Sequence, residues 1–247
     1  RGFAYLFSIT NLDVLAPEVI ALPTRAAINF HDGPLPEYAG LNTPVWALLN
    51  GETQHGVTWH LMTREVDRGD ILAQRRFDLT DSETALTLNT RCFEVAIESF
   101  EQVARGLIDG TLVPRAQASA PQRLYKRKDR PLAVIEWSQR AADIARLVRA
   151  LDFGAYANPV ASAKLLTPKG VLIVAGAEAT ALRSSLPAGT VTAIDAEAIT
   201  VATADNDVRL TALQRTCGSP IDTLAAAQGH GLQIGTRLPA PTATMQD

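Results

Sequence analysis

Two short, almost unbroken apolar runs, FAYLFSI (residues 3–9) and AAINF (residues 26–30), constrain this chain more than any other feature. Strands buried on both faces lose the alternation of apolar and polar residues, as in the interior of a parallel sheet. Parallel neighbours need a crossover, and LDVLAPEVIALP between the runs has the length and spacing of a short helix beginning near Pro17. The three segments read as a βαβ unit. GVTWHLM (56–62) and DILAQRRFDL (70–79) read as two further strands, the second with an exposed, charged half. Thr43 and Pro44 read as the N-cap and first residue of a helix that ends near Gly51. From Thr84 to Ile108, apolar residues at 93, 96, 97, 100, 103, 104 and 107 recur at helical spacing, and Gly110 closes the longest helix, which has one apolar face.

Beyond residue 113 the texture changes. PRAQASAPQRLYKRKDRP lacks periodicity and reads as an extended connection, with Lys126, Arg127, Lys128 and Arg130 as a solvated cluster. Ser138 is placed to cap a helix whose Ile144, Leu147, Val148 and Leu151 share one side, and DFGAYANPVASAK reads as a linker. From Gly170 the short segments GVLIVAG, GTVTAI, AITVAT and VRLTALQ, with the turn ADND, fit a small open β-barrel. The organisation predicted is a core over 1–113, a connection with a linker helix over 114–165, a barrel over 166–240 and a tail over 241–247.

At 247 residues, 47% of them hydrophobic, the chain suffices for one large or two ordinary domains. A net charge of -3 and a pI near 5.8 provide no general attraction to nucleic acid or anionic membrane. Cys92 and Cys217 are isolated, which argues against a disulfide framework or a cysteine metal site and for a reducing cytoplasm. No apolar stretch approaches the roughly 18 residues of a membrane span, and no signal peptide is visible. The start at Arg1, directly before a strand, suggests a fragment or a trimmed product.

The chemistry concentrates in INFHDGPLP, residues 28–36. Residues two apart in a strand point the same way, so Asn29 and His31 project side by side at a strand's carboxyl end, where open α/β sheets place their ligand crevice. EVDRGD supplies Asp67 and Asp70 in a tight turn that can return a carboxylate to the same crevice. An amide, an imidazole and a carboxylate together can polarise a carbonyl, protonate a poor leaving group and hold the imidazole in one orientation. Asp70 reads as a turn-stabilising side chain. His60 sits mid-strand beside Trp59, whereas His55 and His230 fall in expected loops and carry no assigned role.

INFHDGPLPEYAG followed by GETQHGVTWHLMTREVDRGDILAQ resembles the core of the 10-formyltetrahydrofolate-dependent formyltransferases, a family that includes methionyl-tRNA, glycinamide ribonucleotide and amino-sugar formyltransferases. The family signature is Asn-x-His followed by Leu-Pro, then an Asp-x-Gly turn after a Gly-Val-Thr strand, and the likeness extends over about residues 3–240. It implies a partial Rossmann-like parallel sheet followed by an open, OB-like barrel, and catalytic roles for Asn29, His31 and Asp67. NLDVLAP resembles the folate loop, so Leu12, Asp13, Val14 and Leu15 would border the pterin, with Thr63, Arg64, Glu65 and Val66 closing the other side. The resemblance also puts a histidine at position 60, as a supporting residue. Further βα units, about 60–90 residues at about 30 per unit, precede this part of the fold in the family.

A formyl group on an arylamine nitrogen is a weak electrophile, and that nitrogen leaves badly without a proton. By the resemblance Asn29 donates to the developing oxyanion, His31 stabilises the same oxygen and passes a proton to the leaving nitrogen, and Asp67 orients His31 and accepts the amine's proton; no metal is required. The Asp-Gly-Pro variant after His31, with VRALDFGAYANP and WALLNGETQHGVTW, resembles formyltransferase domains of nonribosomal peptide synthetases, which makes an aminoacyl group on a carrier protein the expected acceptor and tRNA an unexpected one. Methionyl-tRNA and amino-sugar acceptors stay open as alternatives, as do a 10-formyltetrahydrofolate hydrolase and a non-catalytic folate-binding remnant. A free sheet edge at the first strand predicts self-association.

Overall fold

The computed structural model describes residues 2–119 and 122–241. The tail expected from 241 therefore lies, apart from Pro241, outside the described residues. The chain divides into two compact units, Arg1–Asp129 and Arg130–Asp247.

The first unit opens with β1 (Tyr5–Ser8), α1 (Pro17–Ile20) and β2 (Ala26–His31), with β1 and β2 parallel from Tyr5↔Ala26 to Ser8↔Asn29. Next come β3 (Tyr38–Gly40), α2 (Thr43–Leu49), β4 (Gln54–Leu61) and β5 (Ile71–Asp78). Sheet order is β1-β2-β4-β5, and only the β1–β2 pair is parallel. The expected parallel sheet is thus mixed. The connection after β2 brings the chain back to the His31 end, so β4 runs back along β2 with His31↔Thr58 and Ile28↔Leu61 opposed. That register puts Asn29, His31, Thr58 and His60 on one face of the sheet and Ile28, Phe30 and Trp59 on the other.

Helix α3 (Ala85–Asp109) covers the second face. Its N-cap Thr84 accepts from the Thr87 N–H within a capping box, and Gly110 closes it in the left-handed conformation. The buried stripe overlaps the expected one only in part, at Ala96 and Val103. Ala85, Leu88, Cys92, Ala96, Ser99, Val103 and Gly106 are buried, whereas Phe93, Ile97 and Phe100 are exposed. Small residues let the helix lie close to the strand that carries Trp59, whose indole N–H donates to Ser99 Oγ at 2.9 Å and whose ring meets Phe7, Phe30 and Phe100.

Two further expectations are corrected in the first unit. Thr43 is not the N-cap of α2: Asn42 holds that position in the left-handed region at φ 58°, and the Thr43 hydroxyl donates to the Asp32 carbonyl at 2.7 Å. The segment expected as an extended connection contains β6 (Arg123–Tyr125), which pairs in parallel with β3. Aromatic stacking of Tyr125 on Trp46 and Tyr38 holds it there.

The second unit contains α4 (Ala141–Ala150) and a wholly antiparallel sheet of β7 (Lys164–Thr167), β8 (Gly170–Ala179), β9 (Val191–Ile194), β10 (Ile199–Ala202) and β11 (Asp207–Gln214), in the order β7-β8-β11-β10-β9. Ile144, Val148 and Leu151 of the expected α4 face are buried. Ser138 does not cap α4; it bonds Glu136, and the Ala141 N–H donates instead to Asp205 Oδ1 at 2.8 Å, from the turn before β11. His230 lies not in a loop but at the end of α5 (Thr223–His230), bonded to Thr167.

Candidate active site

The polar face of β2 and β4 floors a cavity of about 520 Å³ within the first unit. Asn29, His31 and Asp67 all line it, as do Leu12, Asp13, Val14, Leu15, Thr63, Arg64, Glu65 and Val66. The sequence-predicted positions thus come together at one concavity. The loop before α1 is shaped by Asn11, which receives the Asp13 N–H on Oδ1 and donates from Nδ2 to the Asp13 carbonyl, leaving Leu12 and Val14 exposed. Across the opening, the Thr63 hydroxyl donates to the Glu65 carbonyl and shapes the second loop.

His31 is buried, and its ring is fixed from several sides. Nε2 lies 2.8 Å from the Tyr38 carbonyl, so the hydrogen sits on Nε2, and Nδ1 faces Asp67 Oδ2 at 3.7 Å and Asp32 Oδ1 at 3.9 Å. The next residue is anchored through its carbonyl, where Asp32 O accepts from both Thr43 Oγ1 and His55 Nε2, the latter at 2.8 Å. His55 is therefore not a loop residue: it opens the buried length of β4, and burial pushes its pKa down. Gly33 follows because a Cβ there would sit 2.8 Å from His31 Nε2, Thr43 Oγ1 and the Tyr38 carbonyl.

Asp67 occupies the left-handed region at φ 53°, and contacts from several segments hold it there. Gly40 N–H donates to its Oδ2 at 2.8 Å, while Gln117 and Gln122 donate to its carbonyl at 2.8 and 3.2 Å. Gly69 completes the Asp-x-Gly turn because a Cβ would overlap the Leu61 carbonyl oxygen, at 1.8 Å. Burial alone would push the Asp67 carboxyl up. The adjacent His31 and the Gly40 N–H outweigh it and hold the pKa down to about 2. Asp70 contributes its backbone carbonyl, which accepts from the Leu61 N–H, while its side chain is exposed.

Other participants escaped the sequence reading. Tyr38, Gly40, Gln117 and Gln122 orient the site through backbone and amide groups that leave no motif. Lys126 and Arg127, exposed as expected of the solvated cluster, also border the cavity, because β6 docks on β3 and carries them to its edge. Arg127 lies within 3.4 Å of the Leu12 carbonyl and 3.6 Å of Asp13 Oδ1.

Comparison with known proteins agrees with this arrangement. The formyl transferase family model matches residues 10–104, and the formyl transferase C-terminal domain model matches residues 129–231. HypX from Aquifex aeolicus, solved in complex with tetrahydrofolic acid, is 22% identical with a TM-score of 0.69; the match covers 92% of this chain but only 38% of HypX. The sugar 3N-formyl transferase WlaRD, solved with dTDP and 5-N-formyl-THF, is 19% identical with a TM-score of 0.65, covering 83% of this chain and 71% of its own. An N-formyltransferase from Helicobacter canadensis, in complex with folinic acid and dTDP-3-aminofucose, is 18% identical with a TM-score of 0.62, covering 80% and 77%. With both family models matched in order along one chain, and the motif residues of the first gathered at one cavity, the chain belongs to the formyltransferase family.

Proposed function

We propose that this chain transfers a formyl group from 10-formyltetrahydrofolate to a primary amine. The observation that carries the reading is the convergence of Asn29, His31 and Asp67 on one cavity rimmed by the 11–15 and 62–66 loops. Its volume, about 520 Å³, suits a small-molecule site, and the exposed Leu12, Val14 and Val66 offer apolar surface to a flat heterocycle. The folate, when bound, supplies a formyl carbon: the amine's lone pair forms the new C–N bond, the old C–N bond breaks, and its electron pair leaves with the folate nitrogen, which gains one proton as the amine loses one.

The chain's residues make that exchange possible. Asn29 donates an amide hydrogen to the oxygen that gains negative charge, a contact worth about 3 kcal/mol when well placed. His31, with Nε2–H committed to Tyr38, holds and delivers its mobile proton at Nδ1. Asp67, ionised by its surroundings, faces that nitrogen and is positioned to take the amine's proton. Leu12 to Leu15 and Thr63 to Val66 hold the pterin, chiefly through backbone groups.

The acceptor we favour is an aminoacyl group on a carrier protein, on the resemblance of HDGPLP and VRALDFGAYANP to assembly-line formyltransferase domains. Transfer RNA fits poorly. From Thr167 to Asp247 five Lys and Arg stand against seven Asp and Glu, leaving minus two on the segment expected to face a phosphate backbone. A nucleotide-linked amino sugar is the second reading, favoured by the likeness to two sugar formyltransferases. We read the second unit's sheet as an open barrel of the OB type and place the protein in the cytoplasm, in keeping with two free cysteines and no helix among the described residues able to cross a membrane. The deciding experiment offers 10-formyltetrahydrofolate with aminoacyl carrier, amino-sugar nucleotide, charged tRNA or no amine. Transfer to the carrier that disappears in Asp67→Ala is expected; formate release without an amine would make the protein a hydrolase.

A further inference from the structure

An amide can serve an oxyanion only if its nitrogen, and not its oxygen, is turned the right way, and a strand position does not decide that. Asn29 and His60 are direct cross-strand partners on β2 and β4. Asn29 Nδ2 lies 3.2 Å from His60 Nε2, and on the far side of the ring His60 Nδ1 lies 2.8 Å from the Leu61 carbonyl oxygen. A carbonyl can only accept, so Nδ1 carries the hydrogen, and in the neutral ring Nε2 is a bare acceptor. Only the amide's nitrogen can satisfy it. The reverse orientation would oppose two acceptors, and with His60 only 2% exposed no bulk water relieves the conflict. An amide nitrogen bears two hydrogens: His60 takes one, and the second remains for the cavity that both residues line.

We propose that His60 is a positioning residue that fixes the Asn29 amide as a donor, through the tautomer imposed by the Leu61 carbonyl. The inference rests on the reading of Asn29 as the oxyanion donor. Asp67 Oδ1, 3.4 Å from the same Nε2, is the competing partner: a hydrogen on Nε2 would go to the carboxylate and release the amide. Strand β5 adds no charge opposite His60, since its register partner there is Ile71. The arrangement thus links a backbone carbonyl, an imidazole and an amide in one directed relay.

The test measures formyl transfer and folate KM with the full chain, after thermal melting has verified folding. His60→Phe keeps the ring's bulk without an acceptor, and kcat should fall about 100-fold, the usual loss for one oxyanion donor, with KM within about threefold. His60→Gln, whose side-chain oxygen can take the same amide hydrogen, should recover most of that loss. In the Asn29→Ala background, His60→Phe should cost less than about threefold more, because its effect passes through Asn29. Additive losses, or a His60→Gln variant as impaired as His60→Phe, would overturn the proposal. Ring-labelled wild-type protein gives a reading that needs neither turnover nor mutation. At about pH 8 the 15N spectrum should show His60 protonated at Nδ1 and bare at Nε2, and the opposite tautomer would sink the proposal. Undiminished transfer by Asn29→Ala with the expected tautomer would instead reject the oxyanion reading itself, which keeps the two failures apart.

Discussion

At the scale of single residues, the site depends on groups held in conformations they would not choose alone. Asp67 has a non-glycine backbone in the left-handed region and a carboxyl held to a pKa of about 2, against an ordinary value near 3.8. Because the folded pKa is the lower one, the unfolded chain binds more protons between the two values, and stability rises with pH there. Its contribution is present above pH 3.8 and is lost as the pH falls through about 2. The depression corresponds to about 2 kcal/mol. Urea titrations of wild type and Asp67→Asn, whose side chain tolerates the same backbone and cannot ionise, should therefore converge by about that amount between roughly pH 5 and pH 2. A gap constant with pH would show that the carboxylate's surroundings do not favour its charge.

At the scale of elements, α3 shows why large apolar residues are a poor guide to a buried face. The expected stripe ran through residues 93, 96, 97, 100, 103, 104 and 107; of these the helix buries Ala96 and Val103, together with Ser99, and leaves Phe93, Ile97 and Phe100 exposed. Small residues at 96 and 99 let the helix approach closely enough for Ser99 to meet the Trp59 indole, with the half-covered Phe100 beside the same ring. Ala96→Leu should overpack this interface and lower stability by about 1–3 kcal/mol. Ile97→Ser, at a position 77% exposed, should change it by less than about 0.5 kcal/mol. Chemical denaturation of the two variants checks the assignment, and the opposite ranking would put Ile97 and not Ala96 on the packed face. The same lesson applies to α4, whose first free N–H is satisfied by Asp205 from a distant turn and not by the nearby Ser138.

At the scale of the whole molecule, β1 is an edge strand, and no strand among the described residues pairs with its outer side. Exposed Phe3, Phe93, Ile97 and Phe100 add apolar surface in the same unit. An open edge with apolar surface favours association. This chain, expressed by itself, should sediment as a concentration-dependent dimer or larger species, and Ile97→Ser should shift it toward monomer. Monomeric behaviour across the micromolar range in analytical ultracentrifugation would contradict this.

Much of the protein was determined locally and could be read from its sequence. The βαβ start, the β4 and β5 strands, the extent of α3 and the strand segments of the second unit follow from apolar runs, caps and turn residues, which act over a few positions. The gathering of Asn29, His31 and Asp67 was legible for the same reason: a strand's two-residue period and an Asp-x-Gly turn are short-range constraints. Tertiary structure alone decided the rest. The direction of β4, the face that α3 buries, the docking of β6 that brings Lys126 and Arg127 to the cavity, and the relay from Leu61 through His60 to Asn29 each depend on atoms far apart along the chain meeting at hydrogen-bond distance or in close packing. Periodicity reports which side chains share a face. It carries no information about what that face will meet.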